Sequence, residues 1–160
     1  MTGSYCEGPL WDGRNMWGDN PPVFTECFED TVLVFVPSFY ALFGGITYYY
    51  FRRTWPGKAL PITILHIAKL STICAQILLH SYGAYYGLMA ESPSVSGFVA
   101  DLLRVLSFLM VFILQVRDRN HGISTSAFVA IFWALELVFE LFVYYRYLLT
   151  AFLFLKTIPC

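Results

Sequence analysis

The sequence predicts an all-α fold: a polytopic transmembrane helical bundle with four spanning helices. Two observations predict it. Four long apolar stretches, residues 31–51, 61–86, 95–116 and 123–145, fill most of the 160-residue chain, and each can cross a hydrocarbon core that takes about 20 helical residues. Hydrophobic residues make up 58% of the chain and charged residues 13%, against about 25% charged in an ordinary soluble domain. A water-soluble domain shows helices apolar on one stripe, not four stretches apolar almost all round. The formal net charge of −1 offers no basic surface for nucleic acid. No Gly-rich loop is followed by a Lys in the phosphate-binding pattern, so the sequence encodes no nucleotide site.

Residues 1–30 form the first element, a head. It lacks the basic start and apolar centre of a cleavable signal. It is acidic, with Glu7, Asp12, Asp19, Glu26, Glu29 and Asp30 against Arg14 alone. The first span, 31–51, contains Pro37 and the pair Gly44-Gly45, which predict a kink. Arg52, Arg53 and Lys58 follow it. The second span opens on Pro61, suited to a first helical turn because its missing N–H would be unpaired there anyway. Its far end carries Tyr82, Tyr85 and Tyr86. The connection after it holds Glu91 and Pro93 and no Lys or Arg. The third span is followed by Arg117 and Arg119, and the fourth ends at Tyr144 and Tyr145. Cytoplasmic loops carry the Lys and Arg excess. The expected topology is therefore N-terminus outside, loops 52–60 and 117–122 inside, and loop 90–94 outside. Arg146 and Lys156 pull mildly against an outside tail. Residues 147–160 are apolar but too short to span again, and read either as the start of a cut-off region or as an interfacial tail.

Ionisable groups in lipid cost about 2.5–3.5 kcal/mol on insertion scales and so face the bundle interior. The candidates are His66, Lys69, His80, Asp101, Arg104, Glu136 and Glu140. They read as an ion path or as interhelical pairs that fix packing; the second reading is preferred because the groups can neutralise one another. A rise of ~1.5 Å per residue places Arg104 and Glu136 at nearly the same depth, which predicts that they pair, with Asp101 as a competing partner for Arg104. The same rise puts His80 and Glu140 level near the outer interface. Lys69 lies close enough to the inner face to snorkel there without a partner. Glu136, Glu140 and His80 could form a ligand set, but Arg104 competes for the acid, and no metal site is assigned. Gly83-x-x-x-Gly87 has the spacing of a helix-contact motif. No residue is assigned a catalytic or cofactor-binding role.

The head and first span read Cys6-Glu7-Gly8-Pro9-Leu10-Trp11-Asp12, then Asn20-Pro21-Pro22-Val23-Phe24-Thr25-Glu26-Cys27-Phe28, then Thr31-Val32-Leu33-Val34-Phe35-Val36-Pro37. This pattern resembles the N-terminal membrane domain of the multidrug-resistance-associated (C) subfamily of ABC transporters, densely over residues 6–40 and more loosely to about residue 145. The resemblance implies an extracellular N-terminus leading into a five-helix domain, followed by a transport core that hydrolyses ATP with Mg and exports organic anions and glutathione or other conjugates. The chain departs from that pattern in showing four spans. It reads as an accessory or regulatory domain without chemistry of its own. Its partners would be the lipid bilayer and the transport core of an ABC exporter, and no nucleic acid. The alternative is a stand-alone membrane protein that binds and regulates another membrane protein, a channel or transporter. The implied address is the plasma membrane, with vacuolar or other internal membranes as the family's other locations. Cys6 and Cys27 share the outside head, where thiols oxidise. Compartment and resemblance together imply a Cys6–Cys27 disulfide; the alternative is two free thiols.

Overall fold

A computed structural model describes residues 5–6, 10–11, 24–52, 57–89 and 95–157. Most of the head motif, Arg53, Trp55, loop 90–94 with Glu91 and Pro93, the side chains of Arg146, Tyr147 and Lys156, and Cys160 lie outside the described residues.

The described chain contains four helices long and apolar enough to cross a membrane. They are α1 (Glu29–Phe51), α2 (Ile64–Met89), α3 (Val95–Asn120) and α4 (Ala127–Thr157). Each begins or ends on a local signal. Thr25 caps the turn Glu26–Phe28 ahead of α1, its Oγ1 accepting from the Phe28 N–H at 3.3 Å. Thr63 does the same for α2 through the His66 N–H, and Ser126 for α4 through the Val129 N–H. Such side chains satisfy donors that the first turn leaves unpaired. The C-terminus of α3 closes on Gly122, whose φ is +83°. The Ile123 N–H returns to the Asp118 carbonyl and the Gly122 N–H to the Arg119 carbonyl, a paired stop that needs the left-handed residue glycine tolerates.

α1 is not a uniform α-helix. Two π-helical turns, Glu29–Leu33 and Tyr40–Gly44, flank the α segment Val34–Phe39 that carries Pro37. Proline removes one N–H and crowds the carbonyl four residues back, here that of Leu33. Wider turns on both sides let the helix continue past it, where the sequence predicts a kink.

α2 packs along α3, while α1 contacts both α3 and α4. The fully buried core takes residues from every helix: Ala41, Ile73, Phe108, Val111, Leu114, Val129 and Phe132. By position along the helices it fills the half of the bundle nearest the 57–63 and 121–126 connections. α2 starts at Ile64 and α3 runs on to Asn120, so Arg117 and Arg119 belong to the last turn of α3 rather than to a loop. Cations there also complement the negative end of the helix dipole. Residues 147–157 continue α4 and do not begin a separate element.

Candidate functional site

Polar contacts gather in three places among the described residues. The first is the head end. Cys6 and Cys27 form a disulfide with Cα atoms 5.7 Å apart. Thr25 Oγ1 donates to the Leu10 carbonyl at 2.7 Å. Trp11 meets Phe28 edge-on at 5.5 Å, Phe28 stacks on Phe24 at 4.9 Å, and Phe24 meets Phe142 of α4 at 5.8 Å. The disulfide thus pins a short aromatic clasp over the start of α1 and against Phe142 of α4. Nearby, Ser96 at the start of α3 donates to Asp30.

The second place is the opposite end. The Leu60 N–H donates to the Arg119 carbonyl and Arg119 Nε donates back to the Leu60 carbonyl, both at 3.1 Å. Lys69 does not stand unpaired as the sequence suggests. Its Nζ donates to the Ser124 carbonyl at 3.2 Å and to Thr125 Oγ1, because its stem reaches the 121–126 connection as readily as the headgroups. Tyr48 donates to Asp118 Oδ1 at 2.9 Å, and the Arg117 guanidinium lies 3.7 Å over the Tyr49 ring. Asp118 is buried, and nothing in the sequence around Tyr48 points to this tyrosine–aspartate contact.

The third place is a cleft between α2 and α4, floored by α3. It encloses 480 Å³ and is lined by Gln76, Leu79 and His80 of α2, Phe108 of α3, and Trp133, Glu136, Leu137 and Glu140 of α4. His80 Nδ1 and Asp101 Oδ1 are 3.0 Å apart, and the imidazole stacks on Phe108 at 5.9 Å. Gly83 makes this approach possible: a Cβ there would stand 2.8 Å from Asp101 Oδ2. Gly87 faces open space, so only the first glycine of the Gly-x-x-x-Gly spacing serves a helix contact.

Arg104 pairs with Glu140, Nη2 to Oε1 at 2.9 Å, and not with Glu136 as depth alone predicts. The reason is the lean of side chains toward the N-terminus of their own helix. α3 starts at the head end and α4 at the opposite end. Arg104 therefore leans toward the head, and Glu140, one turn beyond Glu136, leans back to meet it. Glu136 leans away. Asp101, the other expected partner of Arg104, is held by His80. Glu136 is left buried, 6% exposed, with Oε1 lacking any hydrogen-bond partner. Among the described residues no group of three His, Cys, Asp or Glu side chains is placed to hold a metal ion; His80 and Glu140 are turned to other partners.

Comparison with known proteins gives a consistent result. The family model of the ABC transporter TMD0 domain matches residues 11–154. ATP-binding cassette sub-family C member 3 of Mus musculus is 27% identical over 134 residues, covering 79% of this chain and 8% of the relative. The Rattus norvegicus protein of the same name shows the same figures. The Homo sapiens protein is 26% identical over 137 residues, 81% of this chain and 9% of the relative. The chain thus spans less than a tenth of the length of the curated relatives it matches.

Proposed function

This chain belongs to the ABC transporter TMD0 domain family, and from that premise we propose that it serves a C-subfamily exporter as an accessory, regulatory membrane domain. It performs no chemistry itself. It packs against a transport core that uses ATP and Mg to export organic anions and glutathione or other conjugates, and it supports assembly and delivery of that core to the plasma membrane, with the head outside. The single observation that carries the reading is the family match over residues 11–154. The build of the bundle supports it: a core shared by all four helices and fastenings at both ends suit a rigid docking unit rather than a gated path.

The test is complementation. ATP-binding cassette sub-family C member 3 lacking its matching residues is expressed with and without this chain. Copurification of the two pieces, and a rise in ATP-dependent uptake of a glutathione conjugate into inside-out vesicles per cell, are the expected results. Absence of both copurification and rescue, with the chain folded and in the same membrane, refutes the proposal.

A further inference from the structure

We propose that the cleft between α2 and α4 is a binding site for a membrane-partitioned organic cation, a hydrophobic protonated amine whose nitrogen sits between Glu136 and Glu140. Three observations carry this.

The first is charge. Three carboxylates, Asp101, Glu136 and Glu140, meet one guanidinium and one imidazole. Asp101 is engaged by His80 and one oxygen of Glu140 by Arg104. The remaining acid is Glu136. Glu136 is 6% exposed and lines the cleft, and its Oε1 has no partner; that oxygen has almost no accessible surface, and a ligand reaches it when the carboxyl turns about its soft last torsion. A buried polar atom left without a hydrogen bond is costly, more so in a span where water is scarce. An N–H donor carrying positive charge is the group that best satisfies it.

The second is surroundings. Phe108 and Trp133 line the same cleft, and aromatic faces attract a cation once it is desolvated. Leu79 and Leu137 complete an apolar wall for the hydrocarbon part of a ligand. A mostly apolar cavity with a few convergent polar groups is the usual make-up of a small-molecule site.

The third is size. A volume of 480 Å³ lies within the range of about 300–1,000 Å³ typical of ligand pockets. It is too small to seat a partner helix, whose cylinder is about 10–12 Å across.

The test measures binding of N,N-dimethyl-2-naphthylmethylamine to the whole chain in nanodiscs of zwitterionic lipid. Its neutral methyl ether analogue and the anion 2-naphthylacetate serve as controls. Saturable binding of the amine alone is expected. Glu136→Gln should weaken it by roughly tenfold or more, the loss expected when a charge-assisted hydrogen bond goes. Leu137→Trp adds a bulky ring at the rim of the cleft without changing charge and should weaken binding, which keeps the test meaningful if Glu136→Gln folds poorly. The proposal is overturned by any of three results: no saturable binding of the amine, equal binding of the ether, or unchanged affinity in folded Glu136→Gln and Leu137→Trp variants.

Discussion

Replacing Arg104 by leucine separates the pairing seen in the structure from the pairing that depth alone suggests. The substitution removes a guanidinium 2.9 Å from Glu140 Oε1 and keeps an apolar side chain facing the same neighbours. A bare Coulomb energy for unit charges at about 4 Å and an effective dielectric near 20 is ~4 kcal/mol, which sets the ceiling. Interhelical polar contacts in membranes average about 0.6 kcal/mol and reach about 1.7, because the unfolded chain in the membrane also finds partners. The coupling should therefore be about 0.5–1.5 kcal/mol. The assay is a double-mutant cycle on Arg104→Leu and Glu140→Gln, read by equilibrium unfolding in bicelles, with a parallel cycle on Arg104→Leu and Glu136→Gln. The double variant with Glu140→Gln should recover much of what Arg104→Leu loses, since Glu140 is then not left as an unpaired charge. The Glu136 cycle should show a clearly smaller coupling. A larger coupling to Glu136 than to Glu140, or none to either, would refute the argument from side-chain lean.

Gly83→Ala should cost about 1–3 kcal/mol by pushing Asp101 off α2, whereas Gly87→Ala should be neutral or mildly stabilising; thermal unfolding of the two variants separates them. Gly122→Ala forces a side chain into a left-handed position 2.9 Å from the Lys58 carbonyl and should destabilise by about 1–3 kcal/mol, seen as a lower unfolding midpoint. Cys6→Ser opens a bond of sequence separation 21 and should cost about 3 kcal/mol in the chain-entropy model. Non-reducing peptide mapping of protein taken from cells should recover the Cys6–Cys27 pair, and free thiols at both sites would disprove it. Single cysteines at positions 90–94 should react with a membrane-impermeant thiol reagent added outside, and those at 52–58 should not; the opposite sidedness rejects the N-out topology.

The spans were legible because hydropathy over about 20 residues depends on composition alone. The inventory of buried ionisable groups was equally legible, since their types betray their cost in lipid. Their partners were not. Arg104 and Glu136 have matching depths along ideal helices, but a side chain reaches several ångströms from its Cα and leans with its own helix, and an antiparallel neighbour leans the other way. That shift is one helical turn, enough to exchange Glu136 for Glu140. Tyr48 shows a different gap. Its position beside Arg52 marks it as interfacial, yet its hydroxyl goes to Asp118, a residue 70 positions away, and nothing local announces such a contact. Gly44 belongs with it. Tyr40, Gly44 and Tyr48 stand one turn apart on α1, and Phe128 of α4 stacks on both tyrosines, at 4.6 Å and 5.4 Å, over the space that the missing Cβ leaves. Read from sequence, that glycine signals a kink; in the bundle it is a seat for a ring.

The basic residues that set the expected topology also fasten the bundle. Arg119 is bonded both ways to Leu60, Lys69 reaches the 121–126 connection, and Arg117 lies over Tyr49. Arg117 ties α1 to α3, Arg119 ties the entry of α2 to α3, and Lys69 ties α2 to the α3–α4 connection, all at the same end. A Lys or Arg on that end is held back by the translocation rule during insertion, and after insertion it supplies donors to carbonyls exposed where helices stop. The two demands select the same residue type at the same height. The opposite end, which carries no comparable excess of cations, is closed by other means: a disulfide, a cluster of rings running from Trp11 to Phe142, and the Ser96–Asp30 contact. Substituting Arg119 should thus act twice, loosening the α2–α3 latch and weakening the charge bias. Arg119→Gln keeps donors for the Leu60 carbonyl and removes only the charge, so it should shift topology more than stability. Arg119→Leu should reduce both. Equal stability loss in the two variants would show that charge, not hydrogen bonding, holds that end together.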